Sequence, residues 1–267
     1  MITCKNCETE FKGNFCPNCA QSAKVHRLTI GHIAHEVAHE ATHIDGGALL
    51  LLRKVMYVPG HVARDYIEGK RKRYFNPFTL LVVLIALMVI VSNKTNIYSD
   101  FTQKIKQFTT DVMKKTAGNG ALKTGNLNED LKNVEKTMDE AEGSTKKALN
   151  NSKLINFIFL PIMSLLTWLF FRKSKYNYAE NLVFNVLVAC GYTSIFLIVL
   201  IPLYLLFPSQ VILLMYLYIL VLVIFSIAAY RQFYQQSRTA TILKGIAVQV
   251  IYMAIVSISS PWLTSLL

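Results

Sequence analysis

Apolar residues gather into five runs, at 78–92, 154–171, 182–207, 210–230 and 245–266. A helix needs about 20 such residues to cross the hydrocarbon core of a bilayer, so each run predicts a membrane span. The third and fourth runs are divided only by Pro208 and Ser209, which predicts a tight turn between antiparallel helices. The first run is short, and Tyr74, Phe75 and Asn76 ahead of it suit the membrane interface. No Asp, Glu, Lys or Arg interrupts any run, so a charged proton or ion relay is not expected. Asn156, Asn185, Thr193, Ser194 and Gln249 are polar handles suited to hydrogen bonds between helices. Pro161 and Pro202 suit kinks, and Cys190 is a packing thiol. The runs show no internal repeat of the kind that marks many transporters.

Between the first and second runs the pattern turns to helical periodicity. Phe101, Ile105, Phe108 and Val112 share one face, as do Leu127, Leu131, Val134, Met138 and Ala141. Gly118, Gly120 and Gly125 lie between the two patterns. Residues 93–153 therefore predict a helical hairpin standing outside the membrane.

Composition agrees with a membrane protein. Hydrophobic residues make up 53% and charged residues only 16%, where a soluble domain carries about 25% charged. Mean hydropathy is +0.36. Basic residues set the orientation. Lys70, Arg71, Lys72 and Arg73 abut the first run; Arg172, Lys173 and Lys175 follow the second; Arg231, Arg238 and Lys244 lie between the fourth and fifth. With five spans all three clusters fall on one side, which predicts a cytoplasmic N-terminus and an extracytoplasmic C-terminus. The hairpin holds eleven lysines against eight acidic residues, but a loop of that length is translocated regardless of charge. The net charge of +12 then calls for acidic lipid headgroups rather than nucleic acid. No cleavable signal peptide is expected, because the first thirty residues hold no apolar stretch.

That N-terminal stretch carries the most specific chemistry of the chain. Cys4-Lys-Asn-Cys7 and Cys16-Pro-Asn-Cys19 are two Cys-x-x-Cys pairs eight residues apart. This is the ligand set of a zinc ribbon, in which four thiolates close a tetrahedron and leave no open position, so the zinc is structural. A segment this small cannot fold on its own apolar burial, and the metal supplies the folding energy. Disulfides or a redox pair are the alternative; reduced thiols fit a cytoplasmic head.

A second cluster follows. His32, His35, His39 and His43 are spaced by three and four, so a helix would place them on one stripe, flanked by Glu36 and Glu40. His35-Glu-Val-Ala-His39 reads as His-Glu-x-x-His, the spacing of zinc peptidases. No metzincin extension follows, and a third ligand would have to come from elsewhere, such as His61, Asp45 or Asp65. The stripe reads three ways: as interfacial histidines hydrogen-bonded to acidic residues or headgroups, as a second metal site, or as a peptidase centre. Further on, Pro59 and Gly69 suit the start and end of a short amphipathic helix on the membrane surface. Arg64, Lys70, Arg71 and Arg73 either anchor the cytoplasmic end of the span or bind an anion or lipid headgroup.

The order of these features resembles a bacterial family of unknown function whose members carry a zinc-ribbon head and several membrane helices. The residues that carry the resemblance are Cys4, Cys7, Phe11, Gly13, Phe15, Cys16, Cys19, Gln21, His39, Asp45, Pro59, Gly60, Tyr66, Gly69, Lys70, Arg71 and Pro77. It covers the first eighty residues or so and implies no activity. Asp65 follows Arg64, and Ala20 stands where a ribbon often has glycine.

The fold class expected is an all-α polytopic membrane protein, with about five transmembrane helices and a small N-terminal zinc ribbon. Its parts are a cytoplasmic ribbon at 1–24, juxtamembrane His-rich and basic amphipathic helices at 25–76, and a first span at 77–92. An extracytoplasmic hairpin at 93–153 and a four-helix membrane region at 154–267 complete it. The expected setting is the bacterial inner membrane. Its expected partners are the lipid bilayer and a protein, with a homo-oligomer open. The leading functional class is a non-enzymatic interaction, scaffold or regulatory protein whose ribbon docks a cytoplasmic partner. A membrane metallopeptidase using the histidine stripe comes second, and a transporter or lipid-handling protein third.

Overall fold

Where no water is at hand, every backbone N–H and C=O must bond within its own segment, and all five apolar runs are helical. The structure, a computed structural model, describes residues 1–31, 47–118, 132, 136, 137 and 152–266, with backbone alone at 113–118, 152–158 and 260–266. The histidine stripe at 32–43 and the second hairpin arm at 127–141 lie outside the described residues, apart from Lys132, Lys136 and Thr137.

Strands β1 (Ile2–Thr3) and β2 (Glu10–Phe11) pair antiparallel, Ile2 opposite Phe11. The helices are α1 (Gly47–Tyr57), α2 (Pro59–Glu68), α3 (Pro77–Thr95), α4 (Ile97–Gly118), α5 (Ser152–Phe170), α6 (Tyr178–Ile195), α7 (Ile201–Leu206), α8 (Val211–Tyr234) and α9 (Arg238–Leu266). Their ends follow from local chemistry. Asn76 caps α3 by accepting from the Phe78 N–H, and Pro77 occupies the first turn, where its missing N–H costs nothing. Asn96, in the left-handed region (φ 52°), ends α3 and turns the chain into α4. Asn177 and Glu180 form a reciprocal capping box at the start of α6. Between α6 and α7 the helix widens into a π segment, Phe196–Leu200, with the Ile201 N–H bonded to the Phe196 carbonyl. Pro202 follows at once, and the wider turn accommodates a ring that would strike the carbonyl of residue 198 in a regular α-helix.

Among the described residues, four helices are long and apolar enough to cross a membrane: Pro77–Thr95, Tyr178–Leu206, Pro208–Tyr234 and Arg238–Ser259. Against the expectation of about five, the remaining run is α5, whose described side chains give a shorter apolar stretch, Phe159–Phe170. The helix formed by α6 and α7 is central: 56% of its most apolar stretch is buried, against 17% for α8 and for α9. It runs parallel to α3. The Cys190 thiol lies 3.5 Å from the Pro77 carbonyl near the start of α3, and the Tyr204 hydroxyl donates to the Thr95 carbonyl (3.2 Å) at its end.

The N-terminal turns of α6 pack against α1 and α2. Leu51, Val55, Val62, Ala63 and Tyr66 join Val183, Phe184, Leu187, Tyr230 and Phe233 in the main core. Here the structure differs from the expected surface helix: α2 is inserted between α6 and α8. Gly60 is the reason. A Cβ there would lie 2.5 Å from the Ala229 carbonyl, and the bare backbone instead donates to Gln232 Oε1 (3.1 Å). A second apolar cluster joins Ile97 to Phe196, Leu200, Ile201, Tyr204, Val211 and Met215. It holds the start of α4 against the α7–α8 turn, where Asp100 accepts from Tyr204 and Lys104 donates to the Pro208 carbonyl (2.7 Å). Phe101 packs onto this cluster, whereas Phe108 and Val112 on the same face are exposed.

Candidate functional site

Each Cys-x-x-Cys pair closes its own turn. In the first, the Cys4 N–H donates to the Thr9 carbonyl (3.0 Å) and the Glu8 N–H to the Cys4 carbonyl (2.9 Å). In the second, the Cys16 N–H donates to the Gln21 carbonyl (2.8 Å) and the Ala20 N–H to the Cys16 carbonyl (2.9 Å). The two knuckles are copies of one another, and each needs a left-handed residue just after its second cysteine: Glu8 (φ 63°) and Ala20 (φ 56°). A side chain in that conformation costs about 1–2 kcal/mol.

The turns bring four sulfurs together. The Cys4 and Cys19 Sγ atoms lie 3.6 Å apart, those of Cys7 and Cys16 3.5 Å apart, and all four within 4.8 Å of one another. A tetrahedron with metal–sulfur bonds of about 2.3 Å has edges of about 3.8 Å, so this donor set fits a four-coordinate metal ion. Hydrogen bonding to Thr9 (Sγ to Oγ1 3.3 Å) is the main influence that lowers the Cys7 thiol to about 6, toward the thiolate a metal requires.

The ribbon is clamped to the loop that follows α2. Asn6, within the first knuckle, accepts from the Arg73 N–H (3.2 Å), and Gln21, at the second, accepts from the Lys72 N–H (3.2 Å). Val25 and the stem of Lys5 cover Gly69, whose φ of 113° and crowded surroundings admit no side chain. Arg71 reaches back to the His26 carbonyl (2.9 Å). Arg27 forms a bidentate ion pair with Glu180 (2.8 and 2.9 Å) and also donates to the Lys175 carbonyl (2.6 Å). Leu28 is wholly buried in the main core, an anchor worth about 1.5–3 kcal/mol.

Of the four basic residues expected to form an anion site, Lys70 and Arg71 have side-chain partners of their own. Lys70 pairs with Asp65 (2.9 Å), Arg71 bonds His26 and lies over the Tyr66 ring, and Arg73 lends its backbone to Asn6 while its side chain is exposed. Arg64 sits half-buried on α2, its Nε buried without a hydrogen-bond partner among the described residues. Asp65, one of the carboxylates a second metal could have used, is committed: Tyr74 donates to one oxygen (2.9 Å) and Lys70 to the other, while Lys54 donates to the Tyr74 hydroxyl (3.2 Å). Burial pushes the Asp65 carboxyl up, but the bonds from Lys70 and Tyr74 and the nearby cations outweigh it and hold the group below its ordinary value. Burial and the Asp65 carboxylate push the Tyr74 phenol up to about 12.

Asn6, Arg27 and Glu180 were not singled out from the sequence, and Gln21 entered only through the family resemblance. The Asn-x-x-Glu spacing of a capping box ahead of an apolar run was the one available signal for Glu180. Residues 45–89 match a family described as "Protein of unknown function (DUF3667)". The matched stretch takes in α1, α2, the clamped loop and most of α3, and starts after the ribbon and the histidine stripe. No curated protein and no solved structure matches the chain.

Proposed function

We propose that the chain is a multi-pass protein of a bacterial inner membrane, with a cytoplasmic ribbon built on one structural zinc ion. Its role is interaction or regulation rather than catalysis. The observation that carries this reading is the closed sulfur set on a head clamped to the helix bundle. Four protein donors leave the metal no position for a substrate, so what the head offers is surface. Phe15, 66% exposed beside the second knuckle, is the aromatic anchor that surface presents to a partner protein.

The five-span topology has its own support. Parallel α3 and α6–α7 require the chain to return across the membrane between them, and α5 is the helix available. The basic residues Arg172, Lys173 and Lys175 then fall on the side of Lys70–Arg73.

A photo-reactive residue in place of Phe15 tests the reading in living cells. One discrete protein adduct is expected, absent when Cys16→Ser empties the ribbon. Adducts to lipid alone would sink it. The metallopeptidase alternative has a separate readout: Glu36→Gln should leave the cellular phenotype unchanged, and its loss with folding and metal content intact would favour a catalytic stripe.

A further inference from the structure

We propose that the metal site is a latch. With metal bound, the ribbon holds the basic loop 69–73 ahead of the first span; loss of the metal releases that loop. The inference rests on metal binding by the four cysteines and not on partner docking.

Both acceptors of the clamp are positioned by metal knuckles. Asn6 lies between Cys4 and Cys7, and the Gln21 carbonyl closes the second turn on the Cys16 N–H. Lys5, whose stem covers Gly69, is also inside the first knuckle. The cluster that supports them consists of Cys4, Phe11 and Cys16, so two of its three buried residues are themselves ligands. Without metal nothing of comparable strength keeps the knuckles closed.

Among the described residues, the ribbon's own apolar cluster is separate from the main core of the bundle. A cleft of about 520 Å³ opens at its seam with the bundle, lined by Arg27, Glu68 and Glu180 together with Val25, Ile67 and Tyr176. Directed bonds therefore hold the head in place, and directed bonds fail together when the groups making them lose their positions. The Lys72 and Arg73 N–H groups would then turn to water, and the backbone of 70–73, which already carries exposed Lys72 and Arg73 side chains, would be free to enter a protease. Leu28, sunk in the main core, keeps the released head tethered.

Limited trypsin digestion of the full-length protein in mild detergent tests this, with cleavage at 70–73 read by mass spectrometry beside metal content. Chelation that empties the site should raise the cleavage rate at this loop about tenfold, the effect of losing two net hydrogen bonds, and added zinc should restore it. The Asn6→Ala/Gln21→Ala double variant should show the same rise while retaining its metal. An unchanged rate in metal-free protein, or in the metal-loaded double variant, would overturn the latch. The single variants Asn6→Ala and Gln21→Ala, read the same way, serve if the double variant sheds its metal. Purified protein that never contains metal would instead remove the ribbon reading itself.

Discussion

Ala20 occupies a left-handed turn that glycine would take without steric cost, and its strain falls on the knuckle that holds Cys16 and Cys19. In the proposed zinc ribbon folding and metal binding are one event, so Ala20→Gly should tighten zinc binding about fivefold, equivalent to about 1 kcal/mol, in a competition titration. Elemental analysis of the wild type should give one zinc per chain, and Cys16→Ser should abolish it and make the head protease-sensitive, with the spans still inserted. Asp65 sets an acid limit on the juxtamembrane network. Its folded pKa is depressed, so its stabilising contribution is complete above the unfolded value of about 4 and is lost as pH falls through the lower folded one. The stability difference between wild type and Asp65→Asn, followed by thermal unfolding, should therefore be flat near neutrality and shrink only in acid. The four cysteines were legible because their spacing is itself the chemistry. The clamping role of Asn6 and Gln21 was not, since it depends on backbone donors at 72 and 73, distant in sequence and unmarked by residue type.

At the level of elements, apolar runs translated directly into helices, because a backbone removed from water has few alternatives. α2 shows where that reading stops. Its pattern gave one apolar face, and a pattern cannot say whether the other face meets water, lipid headgroups or protein. Gly60 was the clue: a helix that only lies on a surface has no use for a bare backbone in its first turn. Gly60→Ala should separate α2 from α8 and cost about 1–3 kcal/mol, the usual range for overpacking, measured as lowered thermal stability in detergent. Pro202 suits a kink, and the helix meets it with a π turn just ahead of the ring. The periodicity of α4 was visible, but not that Phe101 would pack while Phe108 and Val112 stay open.

For the whole molecule the decisive relation is the shared direction of α3 and α6–α7. The proposed five-span topology accommodates that shared direction and also puts the basic clusters on one side. A cysteine introduced at Ser144 should accordingly react with a membrane-impermeant reagent from outside intact cells. Reaction only after the membrane is opened would overturn the five-span arrangement. The sequence could not reveal how the head sits on the bundle, because no apolar pattern records an interface in which hydrogen bonds from the 72 and 73 backbone and the Arg27–Glu180 ion pair form the clamp. The burial of Leu28 bears on the strength that interface needs. A short chain fastened there confines the ribbon near its seat, so rebinding is intramolecular, with an effective concentration on the order of millimolar. Contacts too weak to join two separate molecules are sufficient under that confinement. A free ribbon peptide added in solution would have to reach such concentrations before it displaced the one already attached.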